Sequence, residues 1–195
     1  MRKSRKEAAE TRERIVKMAA REFNESGIQA TGLAEIMAAA GLTHGGFYKH
    51  FSSKDQLVGE AVEKSMEGIK ASMEGPRANR SLGDTVGEYL SKRHRDDSEE
   101  ACPLASLGSE LQRAENRTRR VASKAVEQIV SIIEAHLTGL SAKDGRSCAH
   151  AVVAAMVGGM MLSRIVTDRK LSDRFLRDTR DFVLEGTAKR SRARV

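Results

Sequence analysis

Apolar residues recur at helical spacing along nearly the whole chain, and runs with the two-residue period of a strand are absent. In the first segment Ile15, Ala19 and Phe23, with Val16 and Ala20, mark one stripe, and Gly27 stands where a C-cap belongs. Ser4 and Glu7 have capping-box spacing ahead of it. A short helix follows over about 33–40, with Leu33, Ile36 and Met37 inward and Gly41 at its end. Thr43 is a good N-cap for a third, running to about Phe51. Ser52 and Ser53 open a longer helix, with Asp55 and Gln56 at capping-box offsets and a stripe of Leu57 or Val58, Val62, Ile69 and Met73.

The glycine- and proline-containing run 75–79 breaks this pattern. Beyond it a weakly amphipathic helix is expected over about 81–95, then the acidic run Asp96 to Glu100. Pro103 should start a short helix carrying Leu104, Leu107 and Leu111. A long one over about 116–140 places Val126, Ile129, Ile133, Leu137 and Leu140 on a face. Over 144–167, Ala149, Ala151, Ala154, Ala155, Gly158 and Gly159 mix with Val152, Val153, Met156, Met160 and Met161. A last helix over about 171–186 carries Phe175, Leu176, Phe182 and Val183. The expected fold is all-α, with about nine helices and no internal repeat.

One stretch does not fit an ordinary helix. Gly45 and Gly46 stand side by side, and Phe47, Tyr48 and Phe51 follow at once. A glycine inside a helix costs about 0.5–1 kcal/mol relative to alanine. Residues 33–51 nevertheless have the layout of a helix-turn-helix: short helix, glycine-containing turn, short helix. Gly41 would take the left-handed position, and Leu42 would plug the angle. Phe47 and Phe51, four apart, would face inward beside Phe23. That leaves Thr43, His44, Gly45, Tyr48, Lys49 and His50 on or near the outer face, a set suited to DNA. The side-chain-free patch at Gly45 and Gly46 would let the backbone approach the groove closely.

Charge sharpens this reading. The chain carries a formal +7 with a pI near 9.6, which favours a polyanionic partner. Residues 1–54 hold ten Lys/Arg against six Asp/Glu, and the last eight residues add four more cations. Cys102 and Cys148 are too few for a disulfide framework and lack metal-ligand spacing. No apolar leader follows the basic start, and the run 148–162 is too short and too polar at its flanks for a membrane span, so a cytoplasmic home is expected. His44, His50, His94, His136 and His150 form no pair at metal spacing joined to a carboxylate. No nucleophile motif or phosphate-binding glycine loop is present, and no cofactor is expected. The competing reading is an all-helical ligand-binding or enzymatic domain with a basic surface.

The sequence GLAEIMAAAGLTHGGFYKHFSSKDQL, and in it Tyr48, His50, Phe51 and Lys54, resembles the DNA-binding signature of the tetracycline-repressor (TetR) family of bacterial regulators. The likeness runs over about residues 10–60, including the Phe23 to Gly27 end of the first helix. It implies a DNA-binding domain over 1–54 and an effector-binding and dimerisation domain over 55–195. It further implies that Thr31 touches a phosphate through hydroxyl or amide. Thr43, His44 and Gly45 would approach base edges and backbone, while Tyr48, Lys49, His50 and Lys54 hold phosphates. The arm Arg2, Lys3, Arg5 and Lys6 would reach an adjacent groove.

By the same resemblance the protein is a homodimeric repressor on a palindromic double-stranded DNA operator. The small-residue helix and the last helix would pair with their copies in a four-helix bundle, since Phe175, Phe182 and Val183 need a further surface. A small-molecule effector would bind in the second domain, with Met66, Met73, Tyr89, His94, Leu104, Leu107 and Leu111 as lining on helical position. Cys102, directly before Pro103, would be an N-cap thiol activated by the helix dipole. The run CPLASLGSEL is similar to a branch of the family that includes regulators responding to electrophiles or oxidants, which implies Cys102 as a sensor.

Overall fold

In the computed structural model, residues 5–74, 80–99 and 101–192 are described. Ser4 with its cap, Arg2 and Lys3 of the arm, the break at 75–79, Glu100 and the end of the basic tail lie outside the described residues. Those described form ten α-helices and one 3₁₀ segment, with no strand among them. The helices are α1 (Arg5–Ser26), α2 (Leu33–Ala39), α3 (Lys54–Glu74), α4 (Leu82–Tyr89), α5 (Lys92–Asp96), α6 (Pro103–Ser106), α7 (Gly108–Leu111), α8 (Asn116–Ala135), α9 (Ala142–Ile165) and α10 (Arg169–Arg192). The 3₁₀ segment is His44–Lys49.

Two compact units emerge, and both are discontinuous in sequence. One joins residues 1–67 to 102–124; the other joins 68–101 to 125–195. Helices α3 and α8 each contribute to both units, and the expected division after residue 54 falls at the start of α3.

In the first unit α1 buries Thr11, Ile15, Val16, Ala19 and Phe23, the predicted stripe extended by one turn. Gly27 closes it with φ +88° and its amide on the Phe23 carbonyl at 2.8 Å. Helix α2 ends in a Schellman motif. The Leu42 amide donates to the Met37 carbonyl at 2.8 Å and the Gly41 amide to Ala38 at 2.9 Å, with Gly41 at φ +71°. Helix α3 opens on Ser53, whose hydroxyl accepts from the Gln56 amide at 3.1 Å. The Gln56 side chain accepts in return from the Ser52 amide at 2.8 Å. Leu57 and Val58 are both buried, so the stripe is wider than either alone.

The second unit contains α4, α5, the later turns of α8, α9 and α10. The helix expected over 81–95 divides at Leu90, because Ser91 caps a new helix by accepting from the His94 amide at 3.1 Å. The segment after Pro103 likewise divides, into α6 and α7. Helix α8 stops at Ala135, ahead of Gly139 at φ +89°. Helix α9, capped by Ser141, has the expected length two residues earlier in the chain, and extends beyond the apolar run 148–162 at both ends. By length and composition it is the one described helix able to cross a membrane, yet it buries Val152, Val153, Met156 and Met160 within the chain.

Arg95 ties α5 to the α9–α10 corner. Its buried guanidinium donates to Asp96 at 2.8 and 3.0 Å, to Asp173 at 2.7 Å and to the Ser172 hydroxyl at 2.8 Å. Arg169 reaches Asp96 at 3.0 Å and Lys92 reaches Asp173 at 2.6 Å. The hydrogen bonds from Arg95 and then Arg169 hold the Asp96 carboxyl well below the ordinary carboxylate range; those from Lys92 and then Arg95 lower Asp173. Across the turn, Arg164 donates to the His94 carbonyl at 2.8 Å.

Candidate nucleic-acid interface

The segment that follows the α2 turn is a 3₁₀ helix ending at Lys49, not the α-helix expected through Phe51. Thr43 takes the N-cap position in extended conformation, but its hydroxyl makes no capping bond. With two glycines and six residues, intrinsic propensity cannot hold such a segment. Aromatic packing does. Phe47 is fully buried and Phe51 nearly so, their rings stacked 5.5 Å apart, and the Tyr48 ring meets Phe47 edge-on at 5.1 Å. A Cβ on Gly46 would touch Met37 Cε at 3.5 Å, ordinary contact, whereas one on Gly45 would meet open space.

Three long-range cations complete the frame, two of which sequence reading did not single out. Arg12 lies over the Phe51 ring at 4.6 Å, donates to the His50 carbonyl at 3.3 Å and pairs with Glu60 at 2.5 Å. Arg14 caps α2 from the side, its Nε donating to the Ala40 carbonyl at 3.0 Å. Lys54, which was singled out, donates through Nζ to the Ile28 and Thr31 carbonyls at 2.6 and 2.7 Å. Two of its three protons therefore brace the α1–α2 turn. Thr31 is buried, and its hydroxyl donates to the Gly27 carbonyl at 2.7 Å, where its amide also points at 3.3 Å. Both Thr31 donors are thus engaged within the turn in the free chain.

On the opposite side Thr43, His44, Gly45, Tyr48 and Lys49 are exposed, while Gly46 and His50 are half-buried. Tyr48 is 69% exposed, far beyond what an aromatic needs for packing. The turn behind this face is held from further along the chain. The Glu110 carboxylate accepts from the Gln29 amide at 2.8 Å, and the Ser106 hydroxyl donates to Asn24 at 2.7 Å.

The residues expected to line an effector site separate between the units. Met66, Cys102, Leu107 and Leu111 are buried in the first, with Leu104 half-buried. Met73, Tyr89 and His94 are buried in the second. There the His94 ring meets Tyr89 edge-on at 4.7 Å, and its Nδ1 lies 2.7 Å from the Tyr89 carbonyl oxygen. Cys102 is the N-cap of α6, as expected, but with no exposed surface on a helix of four residues. His94, Asp96 and Asp97 do not converge: Asp96 serves Arg95 and Arg169, and no group of three metal-ligating side chains gathers among the described residues. Phe182 is 75% exposed and Phe175 half-buried, but Val183 is already covered within the chain and needs no further surface.

A braced short segment presenting tyrosine, histidine, lysine and threonine on one open face, at the end of a Schellman turn, has the layout of a helix-turn-helix. The pattern of bacterial regulatory proteins of the tetR family matches residues 15–61, and that of the transcriptional regulator LmrA/YxaF-like C-terminal domain matches residues 80–174. The chain belongs to the TetR family of transcriptional regulators, and the competing enzymatic reading falls with that assignment. It is 44% identical over 68 residues to the regulator AcrR of Shigella flexneri, covering 35% of this chain and 32% of that protein. The chain thus spans about a third of AcrR's length. It is 27% identical over 162 residues to LmrA of Bacillus subtilis strain 168, covering 79% and 86%. A TetR transcriptional regulator from Legionella pneumophila shares the fold, with a TM-score of 0.76, 20% identity, and coverage of 95% and 99%.

Proposed function

We propose that the protein is a homodimeric repressor that binds a palindromic operator through residues 43–50 and leaves it when a small molecule binds the second domain. The observation that carries the DNA step is the uncovered face of Thr43, His44, Gly45, Tyr48 and Lys49, on a segment whose other side is locked by Phe47 and Phe51. Phosphate contacts from Tyr48, Lys49 and His50 position the segment, and Thr43 and His44 face the base edges. Gly45 and Gly46 keep that approach free of side chains.

Dimerisation through α9 and α10 is supported by apolar surface left bare in the single chain: Phe182, Ile165 at 64%, and Met161 and Leu162 at about 40%. Such groups gather where a partner covers them. For release, we favour reversible occupancy by a ligand over thiol chemistry, because Cys102 has no surface for a reagent to reach.

The deciding experiment selects binding sites for the purified protein from random-sequence duplex DNA. Enrichment of a palindrome, lost on Tyr48→Ala and Lys49→Ala substitution with the fold intact, is the expected result. No enrichment at moderate salt defeats the proposal.

A further inference from the structure

Residues 113–124 carry Arg113, Arg117, Arg119, Arg120 and Lys124 against the single acid Glu115. All five cations are exposed, and none forms a salt bridge among the described residues. Arg117, Arg120 and Lys124 fall at i, i+3 and i+7 on α8, so they make one stripe. Like charges at that spacing work against the helix unless an anion lies across them.

This stripe belongs to the same compact unit as the helix-turn-helix, although more than sixty residues separate them. The joint is specific. Thr118, fully buried between Arg117 and Arg119, donates its hydroxyl to the Asp55 carbonyl in the first turn of α3 at 3.2 Å. Gly59, one turn on, admits it: a Cβ there would stand 3.3 Å from the Thr118 hydroxyl oxygen. Arg117 and Arg119 therefore stand on either side of a contact with the first α3 turn, which follows exposed Ser52 and Ser53, while Arg120 and Lys124 continue from Arg117 along the outer face of α8.

The geometry points to the start of α8 as a second phosphate-binding surface, extending the footprint onto the DNA backbone beside the half-site read by residues 43–50. This rests on the DNA-binding reading above and adds to it a sequence-independent contact. Duplex DNA presents one negative charge per about 1.7 Å of axis, so exposed cations in the same compact unit as the recognition face would meet more backbone wherever the duplex runs on. Arginine forks suit phosphate oxygens and carry no base preference.

The test compares wild type with the double variant Arg117→Gln, Arg120→Gln on duplexes that the wild type itself selects, one long and one trimmed to the half-sites. Thermal melting checks the fold, and Lys124→Gln, one turn beyond, serves as an independent variant. On the long duplex the slope of log K against log salt should fall by about 0.9 for each phosphate no longer neutralised, about 1.8 per protomer for the pair. On the trimmed duplex the two proteins should match, with sequence preference unchanged on both. Glu115→Gln should tighten binding to the long duplex only. An unchanged slope on the long duplex, with wild-type selection intact, overturns the proposal and leaves an acidic protein segment as the surface's partner. If the wild type selects no sequence at all, the helix-turn-helix reading itself fails, and this extension with it.

Discussion

Two regions of this chain each contain a pair of adjacent glycines, and they use them in opposite ways. In the recognition segment, Gly45 faces open space and Gly46 makes only ordinary contact. In α9, Gly158 is open too, but a Cβ on Gly159 would collide with Thr179 of α10, at 2.7 Å from its hydroxyl oxygen and 3.0 Å from its Cβ. One pair leaves room for something outside the chain; the other lets two helices of the same chain cross closely. A glycine pair in sequence announces that a side chain is unwelcome, and only the surroundings say on whose account.

The strongest way to break the contrast is to remove what holds the recognition segment. Phe47→Ala should destabilise the chain by about 3–5 kcal/mol, the range for deleting a buried aromatic, and abolish operator binding. Chemical denaturation and a DNA titration check both halves.

Gly159→Ala comes next, expected to cost about 1–3 kcal/mol because the clash is with the stiff, branched stem of Thr179 rather than the tip of a flexible side chain. DNA affinity of the folded fraction should change little. An unaltered melting temperature would mean that α9 and α10 do not depend on this close approach.

Lys54→Met sharpens the account of the first region. It removes two charge-assisted bonds to carbonyls of the α1–α2 turn and should destabilise by about 2 kcal/mol. If Lys54 acts as a brace, the salt slope of DNA binding is unchanged in the folded fraction; a slope reduced by about 0.9 would mark a phosphate contact instead.

Acid should then separate the two regions. Asp96 and Asp173 are both lowered from the usual carboxylate pKa of about 4 by the cations around them. Their contribution is complete above that value and fades as pH falls below it toward the folded-state values, where protonation releases Arg95. Protection of the amides in α5 and at the start of α10, measured against their intrinsic exchange rate at each pH, should therefore fall below about pH 4.

The smallest effect is the most diagnostic. Gly45→Ala should leave stability within about 1 kcal/mol of wild type, in the stabilising direction, since it restricts the unfolded chain and meets nothing in the folded one. If operator affinity nonetheless drops, the bare patch serves the DNA.

Much of this was legible in the chain itself. Apolar spacing located α1, α3, α8 and α9, because a helix that must bury one face repeats every three to four residues whatever it packs on. Gly27 and Gly41 announced the left-handed ends they adopt, a local demand of the backbone. The outward set around Tyr48 followed from the inward pair Phe47 and Phe51.

What could not be read is everything set by distant partners. That Lys54 and Thr31 are bonded to turn carbonyls, that Arg12 reaches both Phe51 and Glu60, and that Val183 is covered all depend on separations of the chain over which sequence carries no distance. The same holds for the return of residues 102–124 to the unit containing the helix-turn-helix, which brings the cations at the start of α8 into that unit. Periodicity and backbone conformation are properties of a few neighbouring residues, so the sequence by itself determined where α1, α3, α8 and α9 lie and the left-handed ends at Gly27 and Gly41, while the class of regulator came with the family resemblance of residues 10–60. Packing unites residues by shape and charge regardless of their order, so only the tertiary structure decided which cations brace the fold and which remain exposed to a partner.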